Sequence, residues 1–294
     1  MDLKGDQTKL KERIFSGTCV AYLGAGISIP PGKDWTDTVE AIARKCGVPL
    51  RKKALPETID ACIKKSEKLC NEELKRLFPK HTVKMRTALQ HVLSLPFKAV
   101  LTTNFDPWIR MHCNGRGYQS KGIYPHLPLH EGIIKGVVNL HGHFDSESSA
   151  STIRSLVFGE KSFRWAYQGS LLRGFLLSLL TYETIVFIGA DPMEPHLQTL
   201  LANSERVRKE IGQWAKDANV GEGHFALWAA PTRDTDKRFE ESITELRSSG
   251  ITPIFFERKR ADFVGLEELL SEWVTEWNAR RRKDPFDTAW QPSR

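Results

Sequence analysis

Six short apolar runs that are rich in β-branched residues recur along the chain, and long connections separate them. Runs of this length and composition are typical of strands that are buried on both faces of a sheet. The predicted strands are TCVAYLG (18–24), KAVLTT (98–103), GVVNLHG (136–142), TIVFIGA (184–190), HFALWAA (224–230) and TPIFFE (252–257).

Several of the connections carry the 3.6-residue periodicity of amphipathic helices. Between residues 265 and 280, one helical face would hold Leu266, Leu269, Leu270, Trp273, Val274 and Trp277. Residues 197–216 show a looser version of the pattern, carried by Leu197, Leu200, Leu201, Val207, Ile211 and Trp214. Strands that alternate with helices predict an α/β fold with a doubly wound, parallel, Rossmann-like sheet.

Two connections, residues 35–95 and 145–182, are too long for simple crossovers between neighbouring strands. The first is mostly helical in pattern, and the second opens polar and ends in the apolar run SLLRGFLLSLL (170–180). We expect both to be insertions that together build a smaller helical layer over the strand ends. The prediction is a single domain over residues 1–280, followed by a basic C-terminal tail over residues 281–294.

Composition restricts the compartment in which the protein works. The sequence has no apolar run long enough for a transmembrane helix, and its N-terminal residues are polar and charged, which argues against a secretory signal. The five cysteines include no C-x-x-C pair, so neither a zinc ribbon nor a disulfide framework is indicated. We therefore expect a cytoplasmic protein.

The formal net charge is +7, and part of it lies at the C-terminus. Residues 279–294 hold five basic and two acidic side chains, a net charge of +3, which leaves +4 on the remainder. That excess is ordinary for a chain of 294 residues, and no zinc finger or RNA-recognition motif accompanies it. We expect no direct nucleic-acid binding and no membrane binding.

Glycines and polar residues follow four of the predicted strands at the point where each strand ends. Because open parallel sheets bind ligands outside the carboxyl ends of their strands, we expect the four exits to face one crevice. The candidate residues are Gly24, Ala25, Gly26 and Ser28 at the first exit, Thr103, Asn104 and Asp106 at the second, His141 and His143 at the third, and Gly189 and Asp191 at the fourth.

Each exit also has a purely structural explanation. Gly24 and Gly26 allow backbone amides to approach phosphate oxygens, but a tight turn without any ligand needs the same residues. Asn104 and Asp106 suit an Asx turn that caps a helix, and a histidine after a strand, such as His141, is commonly a satisfied core group. Four such exits on one parallel sheet favour a ligand site over coincidence.

The four exits, in this order, resemble the sirtuin superfamily. Its members carry a G-A-G-I/V-S strand exit, then T-x-N-x-D, then a histidine in H-G, and then a G-T/F/Y-S stretch. The corresponding residues here are Gly24 to Ser28, Thr102 to Asp106, His141 with Gly142, and Gly189 to Asp191. The resemblance covers about residues 15–260, and the first three motifs together are specific.

The departures from the pattern are informative. Protein-deacylating sirtuins carry a zinc ribbon after the histidine, whereas this chain has no cysteine after Cys113. Thr103 stands where glutamine is usual, Asp191 stands where serine is usual, and the loop IPPGKDWTD (29–37) replaces a G-I-P-D-F-R-like loop. These features, with the run FIGADPMEPHLQTLL (187–201), look like the sirtuin-like effectors of bacterial anti-phage defence, which hydrolyse NAD.

The resemblance implies a role for each matching residue. Asn104 would orient the attacking water at the anomeric carbon, and His141 would act near the nicotinamide ribose hydroxyls as a general base or polariser. The resemblance also implies the residues that bind NAD. Gly24, Ala25, Gly26 and Ser28 would bind the pyrophosphate, Asp106 the nicotinamide carboxamide, and Gly189 and Asp191 the adenosine ribose. Thr103 would be a further NAD-binding residue. NAD is then the substrate, and no metal is expected.

The implied reaction is hydrolysis of the bond between nicotinamide and ribose, with an oxocarbenium-like transition state as in glycosidases. The resemblance therefore implies an NAD glycohydrolase that depletes NAD as an abortive-infection effector. Two alternatives stay open. One is a protein deacylase, and the other is a non-catalytic module that binds NAD or ADP-ribose and regulates a partner.

An unregulated NAD hydrolase would kill its host, so control has to come from assembly or from a partner. The resemblance implies a HerA-type hexameric ATPase as that partner. We also expect a homo-oligomer larger than a dimer, in which residues 284–294 form an arm anchored by Phe286 and Trp290, because interfaces favour aromatic anchors. Alternatively, the apolar face of the C-terminal helix packs on its own sheet, and the basic run that follows is solvated.

Overall fold

One parallel sheet forms the centre of the protein. The computed structural model describes residues 3–28, 35–79, 87–113, 116–149, 151–214, 223–230, 237–257 and 264–283. Within these ranges, seven strands form one sheet in which every neighbouring pair is parallel. The strands are β1 Cys19–Leu23, β2 Ala99–Thr102, β3 Gln119–Ile123, β4 Gly136–Asn139, β5 Thr184–Ile188, β6 His224–Ala229 and β7 Ile251–Phe256. The predicted α/β fold is confirmed.

Six of these strands coincide with the predicted apolar runs, and β3 does not. β3 lies at the edge of the sheet and pairs with β4 alone among the described strands. Its first three residues, Gln119, Ser120 and Lys121, are exposed. Because an edge strand with an exposed face buries little apolar surface, it has no apolar run from which a strand could be predicted.

The order of the strands is β3-β4-β2-β1-β5-β6-β7. From β1 the chain adds β2, then β3 at the edge, then β4 between β2 and β3, and it then returns to β5 on the other side of β1. The order therefore reverses between β1 and β5. In open α/β sheets this switch point opens a crevice at the carboxyl ends of the two strands, and ligands bind there.

Eleven α-helices surround the sheet in the part of the chain that the structure describes. They are α1 Leu3–Phe15, α2 Ala25–Ser28, α3 Trp35–Cys46, α4 Leu55–Leu77, α5 Thr87–Ser94, α6 Trp108–Cys113, α7 Glu160–Arg164, α8 Leu171–Tyr182, α9 Pro195–Trp214, α10 Lys237–Ser248 and α11 Val264–Lys283. Two 3-10 turns span His130–Ile133 and Ile153–Ser155, and a π-helical turn spans Trp165–Gly169. None of these helices is both long enough and apolar enough to cross a membrane.

Helices cover both faces of the sheet. α1, α5 and α11 pack on one face, and α8, α9 and α10 pack on the other. Because side chains alternate along a strand, Ala21 and Leu23 of β1 enter the first core, whereas Val20 and Tyr22 enter the second. Tyr22 therefore projects toward α8 and α9. His141, which follows β4, lies on the same side of the sheet.

The apolar face predicted for the C-terminal helix is buried in α11. Trp273 is fully buried and Trp277 is 2% exposed, and the ring of Trp277 stacks on Phe15 of α1 with 5.5 Å between centroids. The structure therefore confirms the alternative in which the apolar face of α11 packs within its own molecule.

The basic end of α11 is partly paired. Arg280 donates to both carboxylate oxygens of Glu12 at 2.6 and 2.9 Å, and its guanidinium lies 4.8 Å from the ring centroid of Phe15. Arg281, Arg282 and Lys283, the first residues of the predicted tail, are the last residues of the helix. Residues 284–294, including Phe286 and Trp290, lie outside the described residues, so the predicted arm stays a prediction.

α9 departs from its predicted pattern at its C-terminal end. Leu197, Leu200 and Leu201 are buried as expected, but Trp214 is 89% exposed. The last buried residue of α9 is Arg208, and every later residue of the helix except the half-buried Ile211 is exposed. The apolar periodicity continues beyond the buried part of the helix, so the prediction that Trp214 belongs to the buried face is wrong.

A third apolar core forms the predicted helical layer. It joins α3, α4, Phe144 and residues 153–158, with Phe105 and Trp108 of the second strand exit packed against them. α5 and α8 also fall inside the predicted insertion ranges, but α5 packs on α11 and α8 packs on α9. Both are crossover helices between consecutive strands, so their apolar faces are buried on the sheet. The insertion ranges 35–95 and 145–182 are therefore wider than the layer.

Candidate active site

A cavity of about 540 Å³ lies outside the carboxyl ends of β1, β2, β4 and β5. Its volume is within the range of roughly 300–1,000 Å³ that is typical of small-molecule sites. Eight of the eleven candidate residues line it, namely Gly24, Ala25, Thr103, Asn104, Asp106, His141, Gly189 and Asp191. The four strand exits therefore meet in one crevice, at the switch point of the sheet.

The remaining candidates are placed differently. Gly26 does not line this cavity, and its backbone N–H donates to the Gly189 carbonyl at 2.9 Å. Ser28 is the last residue of α2, and its side chain lies outside the described part of the chain. His143, the second histidine of the third exit, does not line the cavity either.

The glycines at the first and fourth exits pack backbone against backbone. A Cβ on Gly24 would lie 2.5 Å from the Gly189 carbonyl oxygen and 2.6 Å from the Cα of Ala190. Gly189 itself has a φ of +62°, which side-chain-bearing residues rarely adopt. The fold thus requires glycine at positions 24 and 189 to close the switch point, whether or not a ligand approaches. Both backbones also form part of the cavity wall.

Asn104 is held by groups that follow or end both neighbouring strands, β1 and β4. Its Nδ2 donates to the Gly24 carbonyl at 2.9 Å, and its own carbonyl accepts from Asn139 Nδ2 at 3.2 Å. Its backbone N–H donates to Thr102 Oγ1 at 3.0 Å, and the residue is 7% exposed. These bonds fix the orientation of the amide at the cavity wall. The sequence did not single out Asn139, although it is the last residue of the GVVN strand.

Asp106 combines a structural bond with a place on the cavity wall. Its Oδ1 accepts the backbone N–H of Trp108 at 3.1 Å, which is the Asx turn that starts α6. The residue is 2% exposed and lines the cavity next to Asn104. The capping explanation therefore accounts for one carboxylate oxygen, while the side chain also lies on the wall of the cavity.

His141 follows β4 and is buried against aromatic side chains. Its Nε2 lies 2.7 Å from the Tyr167 hydroxyl, and its ring packs edge-on against Phe163 with 5.3 Å between centroids. Burial lowers the pKa of His141 to about 3, with a smaller contribution from His196. The imidazole is therefore neutral at physiological pH, as a group that accepts a proton during a reaction has to be.

The aromatic wall around His141 was not predicted from the sequence. Phe163 and Tyr167 stack with centroids 6.2 Å apart, and His196 of α9 stacks on both, at 5.6 and 5.3 Å. The available signal was the run FRWAY (163–167), in which Phe163 and Tyr167 are four residues apart and share one helical face. Because the run lies in the long connection 145–182, the sequence predicted it to be part of an insertion and not of the site.

Two acidic residues lie at the fourth exit. Asp191 is exposed, and its Oδ1 accepts the backbone N–H of Met193 at 2.9 Å. Glu194, which sequence reasoning missed, accepts the backbone N–H groups of His196 and Leu197 at 3.3 and 3.1 Å and so caps α9. Burial raises the pKa of Glu194, although nearby His196 opposes the shift. Both acids line the cavity.

Metal ligands are not assembled at this site. Among the described residues, no group of three or more histidine, cysteine or acidic side chains is arranged to hold a metal ion. The five cysteines are buried thiols, and the closest sulfur pair recorded, Cys46 Sγ and Cys70 Sγ, is 3.5 Å apart in the helical layer.

A family model described as a SIR2-like domain matches residues 98–254, which is more than half of the chain. The chain belongs to the SIR2-like domain family. SIR2-like domains use NAD, and proteins that carry them are typically NAD-dependent enzymes. No curated protein matches the chain.

The SIR2-like match runs from the start of β2 into β7 and so includes the second, third and fourth exits. The first exit, with Gly24 and Ala25, precedes the matched residues. In space it belongs to the same site, because Asn104 of the matched part donates to the Gly24 carbonyl and Gly26 donates to Gly189. The cavity of the SIR2-like protein is thus completed by β1, whose residues the family match does not reach.

Proposed function

We propose that this SIR2-like protein is an NAD glycohydrolase, which cleaves the bond between nicotinamide and ribose to give nicotinamide and ADP-ribose. The observation that carries the proposal is the convergence of Asn104, Asp106 and His141, from two adjacent strand exits, on one cavity. All three side chains are less than 9% exposed. Polar groups that are buried at such a wall are typical of ligand sites.

The chemistry needs few protein groups. Nicotinamide carries its own positive charge in NAD, so it leaves as a neutral molecule without an acid to protonate it. The ribose passes through an oxocarbenium-like transition state, and one positioned water attacks its anomeric carbon. The protein has to hold the dinucleotide, exclude bulk solvent and place that water.

The proposed roles follow the wall of the cavity. Asn104, whose amide orientation is fixed by Gly24, orients the attacking water. Asp106 holds the nicotinamide carboxamide, and His141 acts at the nicotinamide ribose. The remaining wall residues of the predicted set bind the rest of NAD. Gly24 and Ala25 bind the pyrophosphate, Gly189 and Asp191 bind the adenosine ribose, and Thr103 is a further NAD contact. Gly26 supports the turn, and Ser28 stays a proposed pyrophosphate contact.

Incubation of the purified protein with NAD tests the proposal. Chromatography that detects nicotinamide and ADP-ribose without any acylated peptide is the expected result. Release of nicotinamide only after an acyl-lysine peptide is added would identify a protein deacylase instead. Binding of NAD by calorimetry with no turnover would identify a regulatory module.

We further propose that the protein acts in the cytoplasm as an anti-phage effector that depletes NAD. The support is the motif pattern shared with defence-type sirtuin-like proteins, in which the zinc ribbon is missing. A HerA-type hexameric ATPase is the proposed partner, and a homo-oligomer is the proposed state of the effector. Isolation of the tagged protein from its host, with mass analysis of what co-purifies, tests the partner.

A further inference from the structure

Asn139, the last residue of β4, carries a polar side chain at the end of an apolar strand. All four residues of the strand are buried, and Asn139 is 0% exposed. Asparagine is rarely buried so completely, whereas valine and leucine commonly are. An amide therefore stands where burial alone favours a hydrocarbon side chain.

One end of the Asn139 amide is hydrogen-bonded, and the other is not. Its Nδ2 donates to the Asn104 carbonyl at 3.2 Å, whereas its Oδ1 is buried with no hydrogen-bond partner among the described residues. Because a carbonyl oxygen can only accept, this orientation of the amide is the one that bonds to Asn104. A buried acceptor without a partner destabilises a fold, so the stability of the sheet does not explain the residue.

Asn139 and Thr102 together hold the backbone of Asn104. The two residues are register partners on β4 and β2. Thr102 Oγ1 accepts the backbone N–H of Asn104 at 3.0 Å, while Asn139 binds the Asn104 carbonyl. Asn139 is itself fixed, because its own carbonyl accepts the backbone N–H of Tyr124 at 2.9 Å. Both polar groups of the Asn104 backbone are thus tied to strand ends, and its side chain is tied to the Gly24 carbonyl.

We propose that Asn139 is a positioning residue for the NAD hydrolysis proposed above, on which this inference rests. Asn139 does not line the cavity, so it acts on the reaction only through Asn104. By holding the Asn104 carbonyl, it keeps the Asn104 amide where the attacking water has to be oriented. A displacement of about 1 Å at a reacting centre can cost about 100-fold in rate, so one bond of this kind matters for catalysis.

The first test is Asn139→Leu, which roughly keeps the size of the side chain and removes its polar atoms. We expect kcat for nicotinamide release to fall by about 10- to 100-fold, with KM for NAD within about twofold, because a water-orienting group acts in the transition state. The variant loses one hydrogen bond but also one buried acceptor without a partner. The midpoint of thermal unfolding should therefore change by less than about 4 °C. Asn139→Ala, which cannot overfill the strand end, should lower kcat to a similar extent.

The matched control is Thr184→Val. Thr184 is buried at the start of β5, and its Oγ1 accepts from Arg13 Nη1 at 2.7 Å. The substitution removes a buried hydrogen bond at the opposite end of the sheet, outside the cavity wall, so kcat should stay within about twofold of the wild type. An equal fall of kcat in Thr184→Val and Asn139→Leu would mean that any weakened strand lowers activity, which overturns the proposal.

A double variant separates positioning from an independent effect. Because Asn139 acts through Asn104, Asn104→Ala/Asn139→Leu should release nicotinamide as slowly as Asn104→Ala alone, within about twofold. Losses that multiply in the double variant would overturn the proposal, and so would wild-type kcat in folded Asn139→Leu and Asn139→Ala.

The last test needs no turnover and so separates this inference from the proposed function. Nitrogen-15 NMR of the ligand-free protein, with the Asn104 side-chain amide assigned by its loss in Asn104→Ala, reports whether that amide has one environment. We expect sharp signals in the wild type and in Thr184→Val, and shifted or broadened signals in Asn139→Leu. Signals that Asn139→Leu leaves unchanged overturn the positioning role. A wild type that releases no nicotinamide overturns the proposed function, and the NMR result then decides by itself whether Asn139 holds Asn104.

Discussion

Asn104 and His141 are held in different ways, and the difference suits their proposed roles. The Asn104 amide and backbone are fixed by Gly24, Thr102 and Asn139, so the residue has one orientation at the cavity wall. His141 is instead held through a hydroxyl that can itself take or give a proton. A positioning group needs the first arrangement, and a group that moves protons needs the second.

Truncation of either residue should stop catalysis and leave the fold. We expect Asn104→Ala and His141→Ala each to lower nicotinamide release by about 100-fold or more. Asn104→Ala loses one bond to the Gly24 carbonyl, which costs about 1 kcal/mol of the free energy of unfolding. The assay is chromatography of nicotinamide, with circular dichroism to confirm folding. His143→Ala is the control, because His143 does not line the cavity, and near-wild-type release by either test variant would mean that the site is wrongly assigned.

The buried histidine also predicts how stability depends on pH. The pKa of His141 is lowered from 6.5 to about 3, so below pH 6.5 the unfolded chain binds a proton that the folded protein does not. The free energy of unfolding therefore falls as pH falls from 6.5 toward 3, by about 2 kcal/mol at pH 5 from this group. Burial lowers the pKa of His91 and His224 in the same direction, whereas Glu194 opposes them because its pKa is raised.

Urea unfolding of the wild type and of His141→Gln at pH 7 and pH 5 isolates this contribution. The wild type should lose more stability between the two pH values than the variant, and the difference should be about 2 kcal/mol. An equal loss in the two proteins would show that the His141 imidazole is not protected from protonation in the folded state.

At the scale of elements, helical periodicity identified α11 correctly but overextended α9. Trp277 and Trp214 are both tryptophans on predicted apolar faces, yet Trp277 is 2% exposed and Trp214 is 89% exposed. The pattern along a helix shows which residues share a face, but not how far the neighbouring sheet extends beneath it. The extent of the partner surface is a tertiary property.

These two tryptophans make a matched pair for mutation. Trp277→Ala removes a ring that stacks on Phe15 in a closed core, and it should lower the free energy of unfolding by about 3–5 kcal/mol. Trp214→Ala should change it by no more than about 0.5 kcal/mol. Urea unfolding followed by circular dichroism measures both without relying on tryptophan emission. Similar losses in the two variants would contradict the burial described for α9 and α11.

The same reasoning explains which parts of the site could be predicted. Strand exits are readable because apolar runs end sharply at Gly24, Thr103 and Gly189, and topology then brings the exits together. The aromatic wall could not be read in this way. Tyr167 reaches His141 through a π-helical turn, and a hydrogen-bonding pattern of that kind has no counterpart in residue spacing.

For the whole molecule, the helical layer and the sheet share one boundary, and the cavity lies at it. Trp35 and Thr38 of α3, Pro56 of α4 and Phe78 line the cavity from the side of the layer. The layer core also includes Phe105, next to Asn104. The layer therefore limits access of solvent to the strand exits, which a reaction with a single positioned water requires. Because the layer forms part of the cavity wall, a shift of the layer on assembly would change the shape of the cavity.

The last prediction concerns that assembly. The apolar face of α11 is buried within its own molecule, so we propose that Phe286 and Trp290, and not this face, supply the contact with other chains. We expect a homo-oligomer larger than a dimer, in which deletion of residues 284–294 lowers both the assembled mass and NAD hydrolysis, because interfaces rely on a few aromatic anchors. Light scattering at micromolar protein concentration measures the mass, and the nicotinamide assay measures activity on the same samples. The double variant Phe286→Ala/Trp290→Ala should behave like the deletion, whereas Trp214→Ala, which removes a tryptophan that is 89% exposed at the end of α9, should assemble normally. A monomer that hydrolyses NAD at the same rate with and without residues 284–294 would rule out assembly through this segment.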